Sequence, residues 1–182
     1  MKKIINRQIL ILIFGMLFIS IGVVWWYVKP NTRALKSAEQ VFEIAEAIRK
    51  SYIAKPDYWG LDNNSILSKN ILTNIFYKDG RLVNALGKPI AIGQGIAGEV
   101  VMPGGRSFDI VYSQLTAEEC IILATYYNYE SEKVLGLLQM TIVGNDTSQD
   151  FSWGDNNYKL PISRAAAKKI CQNDSKVLWT VE

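Results

Sequence analysis

Cys120 and Cys171 are the only thiols in a chain of 182 residues that contains no histidine. Paired thiols serve redox exchange, metal binding or structure. Redox motifs place their cysteines in C-x-x-C spacing, and a tetrahedral zinc site needs four ligands that two thiolates without histidine cannot complete. What remains is a structural disulfide. It would close a loop of about 50 residues and stabilise the folded state by up to ~4 kcal/mol in the chain-entropy account. Such a bond requires an oxidising compartment.

Other chemistry is as thinly supplied. Without histidine, a serine or cysteine nucleophile would rely on a lysine base, and no Ser/Lys pair stands out. Glu118 with Glu119, or Asp150 with Asp155, are carboxylates that a glycosidase would need in pairs. Their surroundings explain them as helix-start charge and solvated turn residues. Gly93, Gly95 and Gly98 match the GxGxxG spacing of a pyrophosphate cradle, but that motif must open a helix. Here Glu99-Val-Val-Met-Pro follows, a strand and a turn, so the glycines read as a hairpin loop. No catalytic, cofactor or metal site is expected.

The formal charge of +3 is carried by Lys2, Lys3 and Arg7; beyond them 17 basic residues balance 17 acidic ones. Nucleic-acid binding calls for a cationic footprint, and this chain has none.

The elements that would position the cysteines begin at the N-terminus. Twenty residues from Ile9 to Val28 carry no charge; as a helix they span about 30 Å, a bilayer's hydrocarbon core. A cleaved secretory signal is the competing reading, but its apolar core is shorter and ends in a small-x-small site. The preceding basic residues keep the N-terminus cytoplasmic, and Trp25, Trp26 and Tyr27 suit the headgroup level at the exit. The expected layout is a basic cytoplasmic segment (1–8), a transmembrane helix (9–28) and an extracytoplasmic domain (29–182).

Past a kink at Pro30 the helix should continue. Leu35, Ala38, Val41, Phe42, Ala45, Ile48 and Tyr52 recur at three- and four-residue spacing, one apolar stripe for packing against the head or against other copies of the same helix. Lys55, Pro56 and Gly60 end it. Asp62 to Ser65 form a turn and N-cap for a short helix over 66–70. Strands are expected near Pro89–Ile92, at Val100–Met102 and at Phe108–Tyr112, as parts of an antiparallel meander. Thr116 and Glu119 have capping-box spacing for a helix from Ala117. A strand over 134–143, an exposed loop over 144–157, a Ser163-capped helix to Cys171 and a last strand over 177–181 complete an α+β head.

Several stretches carry a resemblance: Tyr58-Trp-Gly-Leu-Asp-Asn-Asn, Ile71-Leu-Thr-Asn, Leu82-Val-Asn-Ala-Leu-Gly-Lys-Pro-Ile and Phe108-Asp-Ile-Val-Tyr-Ser-Gln-Leu-Thr. Together with the positions of Cys120 and Cys171, they resemble the type IVb pilins. The resemblance implies a long N-terminal helix, an antiparallel sheet packed on its C-terminal half, and a disulfide-closed region that faces neighbouring subunits in a helical filament. It also implies a leader cut after a glycine, with glutamate at the fifth mature position. Gly15-Met16 is the nearest match; the fifth residue after that cut is Ser20, and only Met16 to Val28 would remain for the membrane. This departure points to a minor pilin or pilin-like subunit. The expected partners are other pilin subunits and inner-membrane assembly proteins. The alternative is an uncleaved periplasmic scaffold or binding module of a secretion or conjugation machine.

Overall fold

The computed structural model describes residues 32–94, 107–127, 134–155 and 157–182. The Ile9–Val28 segment, the Gly15-Met16 site, the kink at Pro30, the Val100–Met102 strand, and Gly95 and Gly98 lie outside them. No helix among the described residues is long and apolar enough to cross a membrane.

Helix α1 is described over residues 32–52. Its apolar stripe turns inward: Ala38, Val41, Ala45, Ile48 and Tyr52 are buried, joined by Ala34 and Ile44. Phe42 packs at the margin of the same core, whereas Leu35 is 44% exposed and stands outside it. The helix closes through the Lys55 amide, which donates to the Tyr52 carbonyl at 2.9 Å. Pro56 follows, and a proline crowds the preceding turn and cannot extend a helix.

Helix α2 (Asn63–Ser68) starts earlier than the 66–70 expectation. The reason is a reciprocal cap: the Ser65 amide donates to the Asp62 carboxylate, and the Ser65 hydroxyl accepts from the Asp62 amide. Asp79 and Gly80, both with positive φ (50° and 72°), make the two-residue turn between β1 (Tyr77–Lys78) and β2 (Arg81–Leu82).

The main sheet contains β3 (Ile90–Gly93), β4 (Phe108–Leu115), β5 (Leu137–Val143), β6 (Ser148–Ser152) and β7 (Ser175–Val181). Its order is β3-β4-β7-β5-β6, antiparallel throughout. β3 and β4, consecutive among the described strands, pair antiparallel. The last strand enters the middle of the sheet, and its alternation sends Val177, Trp179 and Val181 to the face that α1 covers.

Two further expectations change. Residues 134–135 are helical, and the strand begins at Leu137. Residues 144–157 are not a plain loop, because β6 lies within them. Of its residues only Phe151 is buried, so its polar composition is that of an edge strand, which has one flank and one face in solvent. Helices α3 (Ala117–Thr125) and α4 (Arg164–Ile170) pack against each other beside β7. The Thr116/Glu119 capping box and the Ser163 cap are both formed.

Candidate interaction surface

Four of the five stripe residues from Ala38 to Ile48 are fully buried, and burial of apolar surface is strong but non-directional. Direction comes from polar contacts between α1 and the head. The Tyr112 hydroxyl on β4 donates to the Ser37 carbonyl at 3.2 Å, and the Tyr127 hydroxyl donates to the Ala38 carbonyl at 2.9 Å. Gln40, itself buried, accepts from the Ala85 amide at 2.7 Å. Helical carbonyls keep a second lone pair, so the tyrosines dock without breaking the helix. Burial holds the phenols of Tyr112 and Tyr127 well above their ordinary ionisation range, aided by Glu43 for Tyr112 and by Tyr112 and Tyr126 for Tyr127. Trp179 sits between the two rings, with centroids 5.0 Å from Tyr112 and 5.8 Å from Tyr127. Phe42 stacks on Tyr127 from the helix at 5.5 Å.

Near the far end of α1, Arg49 closes a second contact. Its Nε donates to the main-chain oxygen of Glu182 at 2.6 Å, and its Nη2 donates to the Leu135 carbonyl. The Glu182 amide in turn donates to the Gly136 carbonyl at 2.9 Å. Helix, β5 entry and β7 end therefore meet on one guanidinium. Tyr58 stands beside it; burial raises its phenol while Arg49 opposes the rise. The same residues floor an open groove of about 400 Å³ lined with Tyr52, Ile53, Lys55 and Asp57.

Cys120 and Cys171 are joined, with Cα atoms 5.7 Å apart. The bond ties α3 to the residue that caps α4, and the Ala117 amide donates to the Asn173 side chain across the same junction.

Each carboxylate considered for catalysis has a structural partner or lies in solvent. Glu119 accepts from the Thr116 amide, and Glu118 lies 3.8 Å from Arg164 in an exposed pair. Asp150 accepts from the Thr141 hydroxyl at 2.6 Å. Asp155 accepts from the Asn157 and Tyr158 amides, which hold its carboxyl below the usual range. No cluster of metal-binding side chains occurs among the described residues.

The sheet's outer strands are covered in a way that the sequence did not announce. The Asn63 side chain copies a peptide group along β3: its Nδ2 donates to the Ile90 carbonyl at 2.9 Å, and its Oδ1 accepts from the Ile92 amide at 2.8 Å. On the opposite flank, Ser152 exchanges hydrogen bonds with Tyr158 and Leu160, and the Asp150 carbonyl accepts from the Gln149 side chain.

Among the described residues, one face of α1 and a few apolar side chains stay bare. Lys36, Glu39, Glu43, Glu46 and Lys50 line that face and are exposed. Ile53 and Trp59 at the helix's far end are 86% and 80% exposed. A strut locked on one side and exposed on the other suits contact with further molecules.

The sequence profile of the Bundlin family matches residues 28–178. No curated protein sequence matches the chain. Among solved structures, the type IVb pilin from Salmonella typhi is similar with a TM-score of 0.50 and 12% identity, covering 79% of this chain and 96% of that one. TcpA, a type IV pilin from Vibrio cholerae El Tor biotype, is similar with a TM-score of 0.51 and 12% identity, covering 85% of this chain and 99% of that one. At this identity the likeness is one of fold.

Proposed function

The chain belongs to the Bundlin family of type IVb pilins, and from that premise we propose that it is a membrane-anchored pilin subunit that initiates or extends a pilus filament by packing its helix and head against other subunits. The observation that carries this reading is the two-sided character of α1. One face is fixed to the sheet by Tyr112, Tyr127, Gln40 and Arg49, and the other is exposed along its length. The work is burial of helix surface, with no covalent step.

The uncharged Ile9–Val28 segment supports an anchor in the inner membrane, with a cytoplasmic N-terminus and the disulfide-bonded head outside. Gly15-Met16 is the candidate processing site. A cut there leaves Ser20 at the fifth position and a short apolar remainder, which favours a minor role over that of a bulk subunit. Other pilin subunits and the inner-membrane assembly proteins are the partners this reading requires.

Immunogold labelling of sheared filaments tests incorporation, and consistent absence of label would favour a periplasmic scaffold instead. Mass spectrometry of the membrane-extracted protein tests processing. An intact chain from Met1 to Glu182 would remove the Gly15-Met16 site from the account.

A further inference from the structure

N-linked glycosylation needs an Asn-x-Ser/Thr triplet whose middle residue is not proline, with the asparagine amide and the hydroxyl both open to the transferring enzyme. The chain holds three such triplets, Asn63-Asn64-Ser65, Asn145-Asp146-Thr147 and Asn173-Asp174-Ser175. The structure separates them.

In the first, the Asn63 amide is fastened to β3 by its bonds to Ile90 and Ile92. The Ser65 hydroxyl accepts from the Asp62 amide at 3.0 Å and donates to the Asp62 carbonyl at 2.9 Å. Neither group is available. In the third, the Asn173 side chain accepts from the Ala117 amide at 3.3 Å. Ser175 is fully buried, and its hydroxyl accepts from the Gln172 amide at 2.8 Å and donates to the Gln172 carbonyl at 2.7 Å. That triplet is closed as well.

The second is built differently. The Gly144 amide donates to the Thr147 carbonyl at 2.7 Å, which closes the β5–β6 hairpin and leaves Asn145 and Asp146 as its loop. All three triplet residues are exposed. The loop is held through its main chain, where the Asn145 amide donates to the Gln172 side chain at 3.2 Å. Nδ2 of Asn145 and Oγ1 of Thr147 have no hydrogen-bond partner among the described residues. The tip lies at the opposite end of β5 from the Leu135 carbonyl that meets Arg49, so a bulky group there leaves that contact clear.

We propose that Asn145 is the acceptor of an N-linked oligosaccharide. The donor class is a lipid-pyrophosphate-linked oligosaccharide. Nδ2 bonds to its anomeric carbon, the bond from that carbon to the pyrophosphate oxygen breaks, and the amide proton leaves with the lipid pyrophosphate. The inference rests on the pilin reading only for the head's place outside the cytoplasm.

The test takes the full chain from the cells that make it, in membrane and sheared-filament fractions, and maps its peptides by mass spectrometry with fragmentation that keeps sugars attached. The expected result is a sugar mass on Asn145, with Asn63 and Asn173 unmodified. Asn145→Gln and Thr147→Val should each remove it, while Thr147→Ser should keep it, because the hydroxyl is the group that the triplet requires. An unmodified Asn145 in both fractions, sugar on Asn63 or Asn173, or a sugar mass that survives Thr147→Val would overturn the proposal. Immunogold label on filaments whose Asn145 is bare would remove the glycan and leave the pilin reading standing. A glycosylated chain that never enters filaments would keep the glycan and count against the pilin reading.

Discussion

A Cβ at Gly136 would lie 2.6 Å from Nη2 of Arg49, closer than side chains pack, and Gly136 also holds a φ of +61°. The residue is glycine for two reasons, conformation and the space that the guanidinium takes. Gly136→Ala should cost about 1–2 kcal/mol for the left-handed backbone and further stability for displacing Arg49. Arg49→Ala alone should cost about 1.5–3 kcal/mol, the scale of charged hydrogen bonds. The double variant should fall short of the sum, since the clash disappears with the arginine. Denaturant midpoints across the four proteins check this; strict additivity would mean that the two sites do not touch in solution.

The disulfide spans 51 residues. Replacing Cys120 and Cys171 together by serine should lower stability by about 4 kcal/mol in the chain-entropy account. The loss should appear in urea titrations of the oxidised head and vanish when the unaltered head is reduced first. Protein from the periplasmic face that carries two free thiols would contradict the bond.

Tyr112 and Tyr127 give the head an alkaline limit. Their folded pKa values are raised by burial above the ordinary 10.0. The unfolded chain therefore sheds these protons first, and the stability they contribute is whole below pH 10 and declines as pH rises beyond it. In an absorbance titration at about 295 nm these two phenols should ionise only as the head unfolds. Tyr112→Phe with Tyr127→Phe should be about 1–3 kcal/mol less stable at neutral pH, for two lost hydrogen bonds, and should lose stability less steeply above pH 10. Ionisation of both near pH 10 in a folded head would sink the assignment.

Asn63→Leu should leave the Ile90 carbonyl and the Ile92 amide without their partner, at about 1–3 kcal/mol. Asn63→Asp keeps the acceptor for Ile92 but loses the donor to Ile90. Amide exchange at Ile92 should therefore accelerate strongly in the leucine variant and mildly in the aspartate one. Unchanged protection in both would show that β3 is shielded by other means.

Parts of this architecture were legible before any coordinates because their chemistry is local. The Thr116/Glu119 box, the Ser163 cap and the stripe from Ala38 to Tyr52 depend on residues three or four apart, which a sequence displays directly. The central place of β7 was not legible, because strand order depends on pairing between Asp109 and Thr180, 71 residues apart. Strand β6 escaped notice because it turns a single buried residue, Phe151, to the core. In the sequence Arg49 is one charge among several on the polar faces of the helix, with nothing beside it to mark its reach to Leu135 and Glu182. Its signal lay elsewhere, in Gly136, since an isolated glycine inside a strand pattern marks a close backbone approach. Asn63 read as a turn residue, and nothing nearby announced its reach to Ile90 and Ile92.

That asparagine has a consequence for how such a subunit is used. Its amide plugs one border of the sheet and the 158–160 segment is strapped along part of the other, which reduces the backbone that the described strands can lend to a neighbour. A neighbour that met these two borders would find side chains where a bare edge would offer peptide groups, so the described head resists having a foreign strand added to its sheet.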